Sequence, residues 1–229
     1  KQALGNYNTV SGSDNVAVGS SSLYRLTSGS HNVSIGNMCL YNMTTPSNNV
    51  AVGTEAGKST TTGSECVFIG YQAAQGGGTA HIGKAHTAVG YRALGSVNGD
   101  IWYNTAIGHK ALEDCDTGNW NTAVGATALT DLTGGRENTA VGRGAGNYVT
   151  TGDNNLLLGR AAGTGIAPSG SITTGDNVVC LGNNNITALY CADTSISSSD
   201  SRDKTDVTNF THGLDWVNKL NPITYRWDK

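Results

Sequence analysis

Trp102, Tyr103 and Trp120 stand close together in a chain that is only 7% aromatic. Rings gathered in this way can stack on the apolar face of a sugar or anchor an interface. They can equally close over a local bulge as a hydrophobic cap. They are the candidate glycan-binding residues. Other residues with catalytic or ligating potential do not converge. The histidines at 31, 81, 86, 109 and 212 show no metal-ligand pairing, although on a threefold axis one His would meet its own copies. Glu113, Asp114 and Asp116 are the residue types of a glycosidase pair, yet nothing convergent surrounds them and they read as exposed turn residues. Gly142-Arg143-Gly144-Ala145-Gly146 has the glycines of a dinucleotide loop without the third Gly spacing, the following helix or the βαβ frame. No metal and no cofactor is expected. Ser197-Ser198-Ser199-Asp200-Ser201, with Lys204 beyond it, reads on its residues alone as a polar linker and a solvated charge.

What must position these residues is a repeat. Asn-Val-Ala-Val-Gly, or a close variant, ends at Gly19, Gly36 and Gly53, and Asn-Thr-Ala-(Val/Ile)-Gly ends at Gly108, Gly125 and Gly142. Gly70, Gly90 and Gly159 close further units, and the dominant step is 17 residues. With the closing Gly as position zero, position +3 is small (Cys39, Ala56, Ala73, Ala93, Ala111, Ala128, Ala145, Ala162) and position +4 is often Leu (Leu23, Leu40, Leu94, Leu112, Leu129). Position +7 is apolar (Leu26, Met43, Val97, Cys115, Leu132, Val149, Ile166), +8 is often Thr and +10 is often Gly. A fixed short period marks units that bury their apolar faces only by stacking.

The Asn-Thr-Ala-Val stretch alternates and is β-branched, which favours a strand with Thr122 and Val124 on one side and Ala123 on the other. The Ala-Leu-x-x-Leu stretch is too short between glycines for an independent helix and reads as a second short strand or a bent extended segment. Glycines at zero and +10 are expected at corners of left-handed backbone. The expected fold is all-β: a parallel β-solenoid or β-roll of about ten 17-residue coils, two short strands and two turns to each, stacked at ~4.8 Å into a rod on the order of 50 Å long. The column Asn15, Asn32, Asn49, Asn104, Asn121, Asn138, Asn155 is expected to form a ladder of side-chain amides or to cap turns. The small Ala face is consistent with close packing between protomers. The rhythm breaks between Gly70 and Gly90, between Gly90 and Gly108, and between Gly159 and Gly182, and such insertions emerge as surface loops that often carry binding.

Composition narrows the function classes. The 229 residues include 32 Gly and 3 Pro, 14% are charged and the net charge is −3. No basic field exists to hold nucleic acid, and no apolar run reaches the ~20 residues that span a bilayer, so neither nucleic-acid binding nor membrane insertion is expected. Cysteines 39, 66, 115, 180 and 191 occupy different places in the repeat, which points to reduced, mostly buried thiols in a protein assembled in a cytosol. A threonine column (Thr105, Thr122, Thr139) is a feature of ice-binding solenoids, but Val replaces it in the units ending at 19, 36 and 53. No site for a trans-acting enzyme is visible.

The repeat, carried by Asn15–Gly19, Asn104–Gly108 and Asn121–Gly125, resembles the head of YadA-like trimeric adhesins over roughly residues 3–185. That resemblance implies a left-handed parallel β-roll with three chains side by side. Its units are commonly shorter than 17 residues.

A second resemblance covers the C-terminal residues. Ser199-Asp200-Ser201-Arg202-Asp203-Lys204 and, later, Leu220-Asn221-Pro222-Ile223-Thr224-Tyr225-Arg226-Trp227 resemble the opening of the intramolecular chaperone domain of the endosialidase type, peptidase family S74. Such domains end phage tail fibres and tail spikes. The resemblance implies a trimerising segment that drives folding of the fibre before it and then cuts itself off. It places the cut between Ser198 and Ser199, with Ser199 as nucleophile and Lys204 assisting. A serine hydroxyl does need such a base, a desolvated Lys for example, to react at neutral pH. Val207, Phe210, Leu214, Val217 and Leu220 recur at helical spacing, so a short α-containing segment is expected over 206–220. Trp216 and Trp227 are expected in its core or between protomers.

The implied organisation is a solenoid over 1–190, a linker over 191–198 and the start of the chaperone domain over 199–229. The implied protein is a homotrimeric receptor-binding segment of a viral tail fibre, assembled in the host cytoplasm and carried in the virion. Its partners would be a host cell-surface polysaccharide or receptor and other tail proteins. Its only enzymatic activity would be autoproteolysis. The alternative is a bacterial trimeric autotransporter adhesin head, which calls for a coiled-coil stalk and a C-terminal membrane anchor.

Overall fold

The computed structural model describes residue 4 and residues 11–76, 83–97 and 99–190. Each repeat contributes one three-residue strand: β1 (Val16–Val18), β2 (Val33–Ile35), β3 (Val50–Val52), β4 (Val67–Ile69), β5 (Thr87–Val89), β6 (Thr105–Ile107), β7 (Thr122–Val124), β8 (Thr139–Val141), β9 (Leu156–Leu158) and β10 (Val179–Leu181). They form one parallel ten-stranded sheet in sequence order. Every strand pairs in the same register with the next, Val16 with Val33 and Thr122 with Thr139. Strand order equal to chain order, with parallel pairing throughout, is a β-solenoid. The three irregular steps insert residues without shifting the register, because Val67 still pairs with Thr87, Thr87 with Thr105 and Leu156 with Val179.

The core lies inside the coils. The middle residue of each strand points inward, where Ala51, Phe68, Ala88, Ala106, Ala123, Ala140 and Leu157 are fully buried. The +3, +4 and +7 columns meet them there. The alanines therefore line the interior of one chain and do not form a face between protomers. Side-chain volume is conserved across the coil: where the strand supplies the large Phe68, Gly57 takes the Leu position, and where it supplies Leu157, Gly146 does. A Cβ at Gly57 would sit 2.6 Å from Leu40 Cδ2 and 2.7 Å from Phe68 Cδ2, inside van der Waals contact.

The Ala-Leu segment is a run of turns, neither the second short strand nor the bent extended segment expected of it. Ala111 and Leu112 are adjacent and both fully buried, whereas a strand would turn one of them outward. The chain keeps both inside by placing the +4 residue in the left-handed region, with φ of 48° at Leu23, 51° at Leu112 and 54° at Leu94. That backbone costs about 1–2 kcal/mol for a side-chain-bearing residue, and full burial of a leucine returns ~1.5–3 kcal/mol. The two glycine columns also differ in cause. From Gly36 to Gly142 the closing glycines have φ near 135°, as at Gly90. The +10 glycines are not left-handed. A Cβ on Gly118 or Gly135 would run into the carbonyl oxygen of the glycine one coil on.

Polar groups inside the stack are satisfied by the asparagine ladder. Asn121 Nδ2 donates to Asn104 Oδ1 (3.2 Å) and to the Gly135 carbonyl (2.9 Å). Its Oδ1 in turn accepts from the Asn138 backbone N–H (3.0 Å) and Nδ2 (3.1 Å). The same set recurs at Asn32, Asn49, Asn138 and Asn155. Cys66 and His86 interrupt the column. His86 keeps its logic: Nδ1 accepts from the Asn104 backbone N–H (3.3 Å) and Nε2 lies 2.9 Å from the Ile101 carbonyl. The larger ring fits against Gly83, where a Cβ would collide with it. A second ladder runs through the +8 threonines, with Thr133 Oγ1 donating to the Thr150 carbonyl (3.2 Å) and Thr150 Oγ1 to that of Thr173 (3.1 Å).

Counted forward from Gly159, Ile166 falls at +7, yet it is 52% exposed and Ile172 fills the core position. The insertion lies before that position, so counting back from Gly182 gives the correct alignment. The linker, the 199–229 segment, the helix expected over 206–220, Trp216, Trp227, Cys191, His81 and His212 lie outside the described residues.

Asn121→Ala strips the side-chain partner from the Asn138 N–H and the Gly135 carbonyl, while Asn104 Oδ1 keeps the residue 121 N–H and Asn138 Nδ2 keeps the Gly152 carbonyl. At ~1–3 kcal/mol for each of the two buried unsatisfied groups, the expected loss is at least ~2 kcal/mol, to be read from denaturant unfolding. A loss below ~1 kcal/mol would mean that the ladder is not a main support. Burial raises the thiol of Cys39, pushes that of Cys66 up to about 11 and that of Cys115 up to about 12. Iodoacetamide at pH 8 should leave these three unmodified until the chain is unfolded, and mass mapping of native labelling at Cys115 would contradict the burial.

Candidate functional site

The strand residues on either side of the inward one face out. The third position carries Val18, Ile35, Val52, Ile69, Val89, Ile107, Val124, Val141, Leu158 and Leu181, one above another along all ten strands. The first carries Val16, Val33, Val50 and Val67, then four threonines, then Leu156 and Val179. Many of these are substantially exposed, among them Val18 (54%), Val141 (40%) and Val179 (66%). Such a continuous apolar stripe is uncommon on a monomer's surface.

Beside this sheet, the 90–108 coil carries the aromatic group. Its extra residue lets Ile101 enter the core, fully buried, while Trp102 and Tyr103 emerge just before β6. Trp120 follows one coil on, in the same column as Tyr103. The Tyr103 and Trp120 rings lie parallel, 6.4 Å apart with planes 7° from each other. Tyr103 and Trp120 both have φ of 57°, at a corner where other coils place Asp14, Asn48 and Asn154. Bulky residues rarely adopt this conformation. The backbone holds it through Tyr103 N–H to the Lys84 carbonyl (3.1 Å) and Trp120 N–H to the Trp102 carbonyl (3.1 Å). Asn119 Oδ1 accepts from Trp102 N–H at 2.7 Å. Lys84, Asp100, Trp102 and Tyr103 line an open cavity of about 310 Å³. The three rings are 40%, 57% and 47% exposed, so they do not form a closed cap over the bulge. Exposed rings beside an amine and a carboxylate have the makings of a sugar subsite: CH faces against the rings, hydroxyls to the charged groups.

Glu113 is not the exposed turn residue its sequence setting implies. It is buried between Arg92 Nε (3.0 Å) and Lys110 Nζ (3.1 Å), which leaves its carboxylate committed to an ion triad. Tyr71, Tyr91 and His109 form a further ring stack at the position after the closing glycine, with centroids 5.6 and 5.1 Å apart. Two coils further on, the same column holds Arg143 and Arg160, which line a cavity that sequence reasoning missed. The signal was present as Arg in the same position of consecutive units.

Residues 199–229 match the model of the peptidase S74 family, the chaperone of endosialidase. The matched segment begins at Ser199 and contains Lys204; both lie outside the described residues, as does the Ser198–Ser199 bond. Neither the curated proteins nor the solved structures gave a match to this chain. A β-solenoid followed by an S74 segment fits a tail-fibre-like protein. Among the described residues no helix is long and apolar enough to cross a membrane.

Proposed function

We propose that this chain is a receptor-binding segment of a phage tail fibre: a homotrimeric β-solenoid that presents a host surface glycan with a stiff lateral surface, followed by the start of a self-cleaving trimerisation chaperone. The observation that carries the reading is the apolar stripe along the outer face of the sheet. A chain that folded for solitary life would place Ser, Thr or Lys on that face, as it does at its loops. Three parallel copies turned inward would bury the stripe around a common axis, in the manner of YadA-like heads. Parallel strands pile slowly because each contact closes a loop of 17 residues or more. A C-terminal segment that holds three chains in register would shorten that search, and the S74 match lies immediately beyond the coils.

In this reading Ser199 is the nucleophile of the self-cleavage, Lys204 assists it, and the cut falls after Ser198. Trp102, Tyr103 and Trp120 contact the host polysaccharide, other tail proteins hold the fibre, and the virion is its location. The 1–190, 191–198 and 199–229 boundaries follow from the same assignment. No cofactor is needed at any step.

Light scattering should give three chains per particle. Val141→Asp should reduce this to one or produce aggregates, because its carboxylate would be buried on the axis. A surface substitution of this kind in a monomer would change stability by only about 0.5 kcal/mol, so a wild-type monomer with an innocuous Val141→Asp would contradict the trimer. In a recombinant chain carrying a complete chaperone domain, mass spectrometry should show a cut before Ser199 that disappears in Ser199→Ala. An uncut wild type would remove the autoproteolytic role. On a glycan array, Trp120→Ala should lose the wild-type signal while keeping the wild-type melting temperature.

A further inference from the structure

Arg143 and Arg160 occupy the same place in consecutive coils, directly after Gly142 and Gly159. Neither makes an ion pair among the described residues, whereas Arg92 and Lys110, on coils adjacent to each other, both pair with Glu113. Their backbones are about one strand spacing apart, ~4.8 Å along the rod. They stand over a cavity of about 330 Å³ whose walls include Thr127, Asn147, Tyr148 and Thr164. Its far side is the insertion between Gly159 and Gly182, which projects Ile166 there instead of sending it to the core.

These groups specify complementary chemistry. The guanidiniums require anionic oxygens, which they can take in a bidentate fork. Tyr148 and Ile166, 47% and 52% exposed, offer an apolar wall. Inorganic phosphate would use only the cations, and a neutral sugar would leave them idle. A pyranose bearing an acidic substituent uses both the cations and the wall.

We propose that this cavity is a binding site for an acidic saccharide, with Arg143 and Arg160 on its carboxylate or sulfate and Tyr148 against the ring. The site lies on a different stretch of the rod from Trp102, Tyr103 and Trp120 and does not depend on the reading of those residues.

The test is isothermal titration calorimetry of the full chain with three probes of equal length: oligogalacturonate, sulfated dextran oligomers and neutral dextran. One or both acidic probes should bind, more weakly at higher salt, and the neutral one should not. Preference between the two acidic probes identifies the substituent. Arg143→Gln with Arg160→Gln should weaken binding about tenfold or more, with melting temperature and particle mass unchanged. The double Lys variant should fall between the two, and Trp120→Ala should bind the acidic probe as the wild type does. The proposal is overturned if neither acidic probe binds, if the double Gln variant binds normally, or if Trp120→Ala alone abolishes binding. The last result would assign the saccharide to the aromatic group. It is also overturned if the double Gln variant changes the particle mass, because the guanidiniums would then be pairing with carboxylates of another copy.

Discussion

Each coil of this chain is too thin to have a core of its own, and what makes it a layer is the amide of one asparagine. The side chain of Asn121 reaches down to Asn104, up to Asn138 and to the Gly135 carbonyl in the turn just before Asn138. It thus ties the entry of the strand to the adjoining turn while joining three coils. Buried amides are costly when half-satisfied and stiff when complete, so the ladder sets both the vertical spacing and the register. A slip of one residue would put every Asn beside a β-branched side chain and turn the Ala column out to solvent. The glycines follow from the same constraint: the +10 column must bring a carbonyl to each amide, and a Cβ there would push the next coil away.

Once register is fixed, the two outer columns of the sheet become continuous stripes whatever their composition. Here they are Val, Ile and Leu with a central block of Thr. The structure therefore spends its regularity on one face and its irregularity on the others. All three insertions are absorbed without shifting a strand. The insertion before β6 brings out Trp102 and Tyr103, and the insertion before β10 builds the wall of the Arg143–Arg160 cavity. A repeat with no internal variation would have offered neither. Rod and sites are separable in this architecture, because the ladder tolerates any loop that returns its Asn, or its His86, to the column.

The solenoid, its period, its strands and its Asn ladder were legible in the sequence because each is a local pattern copied many times. The turn-rich Ala-Leu segment was not. Its spacing fits a helical turn and its shortness rules out a helix, and only the simultaneous burial of neighbours such as Ala111 and Leu112 demands left-handed leucines, which sequence preference disfavours. The Ala column looked like a packing face between chains because small residues serve close approach in either setting; that Ala123 points in and Val124 out decides it. His86 was invisible as a ladder member because the insertion before it hides its place in the column until counted back from Gly90. Trp102, Tyr103 and Trp120 stood out by rarity. Arg143 and Arg160 did not, since a guanidinium signals a site only when its lack of a carboxylate can be seen. The S74 segment was legible from its two short motifs, which need no fold to be recognised.

The claim on which everything rests is that backbone N–H groups of the Asn column are held by side chains of the coil below. Amide hydrogen exchange of the native protein tests it directly. The N–H groups of Asn121, Asn138 and Asn155, each bonded to an Oδ1 about 3 Å away, should exchange among the slowest in the chain, as slowly as those of β7 and β8. Exchange at the rate of exposed turn amides, with the strands still protected, would show that the column does not hold the stack.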